Sequence, residues 1–342
     1  MSQAHKIEVE QLENRISPQR VRLEATNVCQ LKCPTCVTAS GELYECMAKG
    51  FLRFKNFKKF VDDNPQIKDI ELSDNGEIFL NPHLPKILEY AHDKGVRLTA
   101  TNGVNLNTVR ETTLEALVKY GMYHMRCSID GASQETYEQY RVRGDFDQVM
   151  ANIDKINAYK KQYDSEYPMM TWQFVVFGHN EHEIAKARQM AQERGMEFET
   201  KLNWDESWSP VKDKEMVRIE MGIGVASRSE YKEKYGEKYT QYICHQLWDQ
   251  PKFNFDGTPW GCCYNYWQPF EGNAFEDNLD DLINSEKMQY ARNMLLGDVE
   301  PRDDIPCTKC SIYKAMRREG RSLDREHIVR LRLGAAVPDT AE

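Results

Sequence analysis

Between Arg20 and Leu202, short runs rich in β-branched and aromatic residues alternate with longer amphipathic segments, a pattern that confines this stretch to successive βα units with parallel strands. The predicted strands are Val21–Ala25, Asp69–Ser73, Arg97–Thr101, His124–Ile129, Thr171–Phe177 and Glu197–Leu202. After the fourth, Phe146, Val149, Met150, Ile153 and Ile156 recur at spacings of three and four, so one helical face is apolar and packs on the sheet. The helix of the fifth unit is expected to begin with Asn180 and Glu183 spaced as a capping box, which leaves His179 and His182 in solvated loop and first turn.

With 342 residues there is room for one sizeable core and an appended lobe, since domains usually run to about 100–200 residues. A formal charge of -9 lacks the basic excess that phosphate-backbone binding leaves, so nucleic acid is not the expected partner. The first twenty residues interleave acids and bases without the apolar core of a signal peptide, and no stretch reaches membrane-spanning length; the expected location is the cytoplasm. Ten cysteines are many for a reducing compartment, where clusters of thiols more often mean metal than crosslinks.

Asp205 to Tyr242 is charged and irregular and reads as a connector with one or two helices; its Gly222-Ile223-Gly224 lacks the preceding strand that a dinucleotide site requires. The C-terminal arginines 317, 318, 321, 325, 330 and 332 read as a solvated face, with recognition of a carboxylate or phosphate as the functional alternative. Residues 335–342 read as a frayed tail.

Directly after the first strand stand Cys29, Cys33 and Cys36, at spacings of four and three. Three thiolates on one loop suit three irons of a cubane cluster and leave the fourth iron open. A zinc site completed by a distant ligand, or a set of unrelated buried thiols, fits the spacing as well. The position favours a functional site, because ligand sites of parallel α/β folds gather on the loops that follow strands.

Here the sequence resembles the radical S-adenosylmethionine (SAM) superfamily, in motif spacing and in placement. The resemblance continues in register through Asp74-Asn75-Gly76-Glu77, Thr101-Asn102-Gly103, Ser128-Ile129-Asp130-Gly131-Ala132 and Arg141, covering about residues 20–202. It departs at Asn75 and Arg143, where glycine is common. The resemblance implies an α/β fold, a partial (βα)6 TIM-like barrel. It also implies a 4Fe-4S cluster on Cys29, Cys33 and Cys36, and SAM held by Asn75, Gly76, Glu77, Asn102, Ser128, Asp130 and Arg141. In it, Glu77 partners the cofactor's amino group and Arg141 its carboxylate.

Four further cysteines, Cys244, Cys262, Cys307 and Cys310, form a closed thiolate set, with a hairpin at Asp256-Gly257 able to bring the first two together. Spacing alone allows a zinc ribbon equally. The segment resembles the SPASM/twitch extension of the superfamily, in its shorter form, which implies one auxiliary iron–sulfur cluster. Either of the adjacent Cys262 and Cys263 can supply the second ligand; with Cys262 assigned to it, Cys263 is free, as a candidate hydrogen-atom donor or else a buried inert thiol, and Cys46 and Cys127 are left over. The expected organisation is a barrel over 1–204, a connector over 205–243, an auxiliary-cluster lobe over 244–334 and the tail.

The resemblance implies reductive cleavage of SAM to a 5′-deoxyadenosyl radical, driven by an external one-electron reductant such as flavodoxin or ferredoxin. About twenty residues precede the first strand, leaving no separate peptide-binding domain, so the expected substrate is a small polar molecule such as a sugar or aminocyclitol, oxidised or epimerised at carbon. The alternatives are radical modification of a ribosomally made peptide and, in another class, a non-catalytic module in which both cysteine sets hold zinc.

Overall fold

The computed structural model describes residues 15–332. Eight strands form one sheet in the order β6-β5-β4-β3-β2-β1-β7-β8. The first six are β1 (Arg20–Leu23), β2 (Asp69–Glu71), β3 (Arg97–Val104), β4 (His124–Ser128), β5 (Met169–Val176) and β6 (Glu197–Leu202), and each runs parallel to the next. This is the parallel-sheet architecture of a partial TIM barrel, with all six predicted strands found within a few residues of their expected ends. The expected helix after β4 spans Phe146–Tyr163 and buries all five residues of its predicted apolar face.

Strand residues alternate sharply between two faces. Val21, Leu23, Ile70, Leu72, Leu98, Ala100, Met125, Met170 and Trp172 join one hydrophobic core with helix residues such as Phe57, Leu88, Leu117 and Ile153. The intervening positions are polar, so the helices cover the outer face and the opposite face of the curved sheet becomes a polar lumen.

Two expectations need correction. The third strand does not stop at Thr101 but runs on through Asn102 and Gly103 to Val104, and its pairing with β4 shifts register between Ala100 and Val104. Asn180 makes no side-chain cap hydrogen bond; its amide accepts from Phe177 N and donates to the carbonyls of Asp130 and Val175. Glu183 accepts from Ala132 N and Ser133 Oγ, so the supposed capping pair ties the β5 end to the loop after β4. The sheet also continues into the C-terminal segment. The hairpin strands β7 (Lys252–Phe253) and β8 (Pro259–Gly261) extend it, and β7 pairs in parallel with β1.

The connector contains helices Lys214–Met221 and Arg228–Tyr235. Among the C-terminal arginines, Arg317, Arg321 and Arg325 pair with Glu300, Glu319 and Asp298, as a solvated face would. The tail lies outside the described residues. Among those described, no helix is long and apolar enough to cross a membrane.

Candidate active site

The loop carrying Cys29, Cys33 and Cys36 is clamped from both sides. On one side Glu77 N donates to Val28 O at 2.9 Å, and Gly76 passes so close that a Cβ there would lie 2.2 Å from Thr26 O. Only glycine permits that approach. On the other side Lys32 N donates to Val142 O at 3.0 Å, and Arg141 Nη1 lies 3.8 Å from Cys33 Sγ. Leu31, Cys33, Tyr140, Val175 and Phe177 form a separate buried cluster, against which Cys29, Cys36 and Trp208 pack.

The thiols crowd one another in this apolar setting. Burial, then the neighbouring Glu77 and the other two thiols, pushes Cys29 up to about 12; burial also raises Cys33, opposed by Arg141. Thiolates there gain from a cationic metal core. Among the described residues no group of three or more His, Cys, Asp or Glu side chains is arranged to hold a metal ion. A cubane makes a different demand, because its thiolates bind separate irons.

The other expected cofactor residues surround this loop. Asn75 N donates to Glu24 Oε1 at 2.8 Å, and its carbonyl accepts from Thr38 Oγ1. Asn102 Nδ2 bonds Asp74 at 3.1 Å, and Ser128 Oγ lies 2.4 Å from where a Cβ on Gly103 would stand. Two carboxylates are already engaged. Glu77 accepts from Phe79 N and Asn105 N, and burial raises its carboxyl to about 7. Asp130 accepts from Val175 N and from Arg141 Nε at 2.6 Å, so it orients Arg141 from beneath. Asn75 keeps an ordinary negative φ, whereas Arg143 adopts φ 72°, the left-handed conformation that explains why glycine suits its position.

The lumen is the feature the motif reading missed. On the β1–β2–β7 side Arg22, Glu24, Glu71 and Lys252 are buried; Lys252 pairs with Asp74, and Glu71 accepts from Ser73, Thr99 and Thr101. On the β4–β6 side Arg126 pairs with Glu199 at 2.9 Å, and Lys201 donates to Gln173 Oε1 at 2.6 Å. The signal was present as strict alternation, for example Val21-Arg22-Leu23-Glu24 and Met125-Arg126-Cys127-Ser128.

Comparison with known proteins bears on the same segment. Residues 23–191 match the family model of the Radical SAM superfamily. This chain carries a radical SAM domain. An AdoMet-dependent heme synthase of Methanosarcina barkeri (strain Fusaro / DSM 804) is 30% identical over 182 residues, 52% of this chain and 48% of that protein, so the chain spans about half the length of its curated relative. Among solved structures, SuiB of Streptococcus suis bound to S-adenosylmethionine superposes with a TM-score of 0.62 at 12% identity, covering 91% of this chain and 75% of that one. The same enzyme bound to its precursor peptide SuiA gives 0.62 at 13% identity, covering 91% and 73%. At such identities the likeness is one of fold.

A radical SAM domain implies one 4Fe-4S cluster and SAM; Cys29, Cys33 and Cys36 stand together on the loop after β1. Beyond that domain, Cys244, Cys262, Cys307 and Cys310 all line one small apolar pocket, walled by Trp260, Trp267, Phe270 and Tyr313. Burial and mutual repulsion push the Cys262 thiol up to about 12 and raise Cys244 and Cys307 further. Cys263 is absent from that wall. Its thiol is approached by Gln246 Nε2 at 3.4 Å and faces the charges of Arg22, Asp74 and Lys252 in the lumen. Cys127 is buried in the barrel core and Cys46 is exposed.

Proposed function

We propose that this chain is a radical SAM enzyme with a second, SPASM/twitch-like cluster, acting on a small polar, sugar-like molecule in the lumen. It would oxidise or epimerise a carbon centre. In this reading Cys29, Cys33 and Cys36 hold the SAM-cleaving cluster, and Cys244, Cys262, Cys307 and Cys310 hold the auxiliary one. The observation that carries it is the convergence of those four cysteines, and not Cys263, on one apolar pocket. Neutral thiols bury there without penalty, whereas thiolates would need a metal core to offset their charge, and four converging sulfurs are the donor set such a core would use.

When bound, the first cluster supplies the electron that releases a 5′-deoxyadenosyl radical from SAM, and the second offers a place for an electron leaving the substrate. The chain's own residues do the positioning. Arg141, held by Asp130, directs an N–H toward Cys33 and is placed to meet the cofactor carboxylate. Asn75, Asn102 and Ser128 present polar groups along the same rim. Tyr140, Val175 and Phe177 exclude water beside the cysteine loop. The lumen's polar side chains orient substrate hydroxyls. In an epimerisation Cys263 gives its hydrogen atom to a substrate carbon radical, and the resulting thiyl radical takes up one electron and one proton to recover. The reductant would be a small one-electron carrier such as flavodoxin or ferredoxin, in the cytoplasm.

The Cys307→Ala/Cys310→Ala variant tests the two-cluster assignment. It should lose about four irons per chain yet keep dithionite-driven cleavage of SAM, whereas replacing Cys29, Cys33 and Cys36 should abolish cleavage and leave about four irons. Unchanged iron in the first variant would sink the auxiliary cluster. A second reading, modification of a peptide, draws on the fold shared with SuiB bound to SuiA.

A further inference from the structure

The two sides of the lumen differ in a way that bears on the substrate. On the β1–β2–β7 side two cations, Arg22 and Lys252, face three carboxylates, Glu24, Glu71 and Asp74, and none of these side chains is more than a few per cent exposed. With three carboxylates to two cations, this side carries no surplus positive charge to offer an anion.

The β4–β6 side is the reverse. Arg126 and Lys201 are 34% and 24% exposed and share one carboxylate, Glu199, at 2.9 and 3.9 Å. A third cation, Arg228, comes from the helix Arg228–Tyr235 and donates Nε and Nη2 to Leu202 O, the carbonyl next to Lys201. Two cations thus share one carboxylate on a wall open to solvent, and Arg228 lies near enough to repel Lys201. Burial, followed by repulsion from Arg126 and Arg228, lowers Lys201 to about 8, as expected of a cation short of counter-charge.

We infer that this wall is an oxyanion subsite: the substrate carries a carboxylate or phosphate that Arg126, Lys201 and Arg228 grip, so the molecule is an acid and not a cationic aminocyclitol. The inference rests on the proposed radical SAM reading, which places substrate in the lumen. Guanidinium forks suit planar carboxylates and phosphates, and a charge-assisted contact in a partly desolvated cleft gives both affinity and orientation. Gripped at β4–β6, the remainder of the molecule lies toward Cys263, which is near enough to Lys201 to influence its protonation.

The test uses the full chain with its iron restored anaerobically, and two probes, glutarate for a carboxylate and inorganic phosphate, titrated calorimetrically at low salt. At least one probe should bind saturably, and Arg126→Gln or Lys201→Gln should weaken it by about tenfold or more, while Arg126→Lys retains most of the affinity. Preference for glutarate or for phosphate identifies the group. Failure of both probes to bind, or binding that neither Gln variant weakens, overturns the subsite. A parent protein that does not cleave SAM at all fails the enzyme reading instead.

Discussion

Lys201 shows how a functional charge is held at a cost to the fold. Arg126 on β4 and Arg228 on its helix repel it, Glu199 on its own strand attracts it, Asp130 and Cys263 face it from further off, and burial outweighs the attractions. Its folded pKa of about 8 lies below the ordinary 10.5. Below pH 8 the lysine is charged in both states and the full penalty stands. Between the two values the unfolded chain binds more protons, so stability rises with pH, and above 10.5 the penalty is gone. Lys201→Met should therefore be more stable than the parent at pH 7, by on the order of 1–2 kcal/mol or roughly 2–6 °C in Tm. The gap should narrow by pH 10; thermal melts at the two values check it, and a Met variant that melts lower at pH 7 contradicts the account. No motif would single out Lys201, because its importance comes from neighbours on other strands.

At the scale of elements, Asn180 shows what local sequence hides. Its spacing to Glu183 imitates a capping box, yet the fold uses the amide to bond three backbone groups at the β5 end and the loop after β4. Asn180→Ala leaves those groups unpaired in a buried site and should cost about 2–5 kcal/mol. By loosening Asp130 under Arg141, it should also raise the SAM concentration needed for half-maximal cleavage; denaturant melts and a SAM titration measure both. The strands were legible because alternation of apolar and polar residues needs no tertiary information, and β6 was read to the residue. The end of β3 was not, since Asn102 and Gly103 look like a turn until β4 pairs beside them. The three cysteines were singled out by their place after the first strand, since spacing alone fitted zinc or unrelated thiols as well. The engagement of Glu77 and Asp130 by backbone N–H groups was not, because those donors come from distant loops.

Over the whole molecule, the parallel pairing of Arg22 with Lys252 makes the C-terminal segment an extension of the barrel sheet, so its hairpin joins the strand that leads into the Cys29 loop. The linear order of the chain, with the hairpin about fifty residues beyond β6, conceals that continuity. It also accounts for Cys262 and Cys263 dividing their roles, one toward the cavity and one toward the lumen. The central claim is that the chain holds two iron–sulfur clusters and cleaves SAM with one of them. Iron and acid-labile sulfide should be determined on anaerobically prepared protein, with 5′-deoxyadenosine assayed after dithionite and SAM are added. The account predicts about eight irons and eight sulfides per chain together with deoxyadenosine; zinc in place of iron with no deoxyadenosine formed would contradict it.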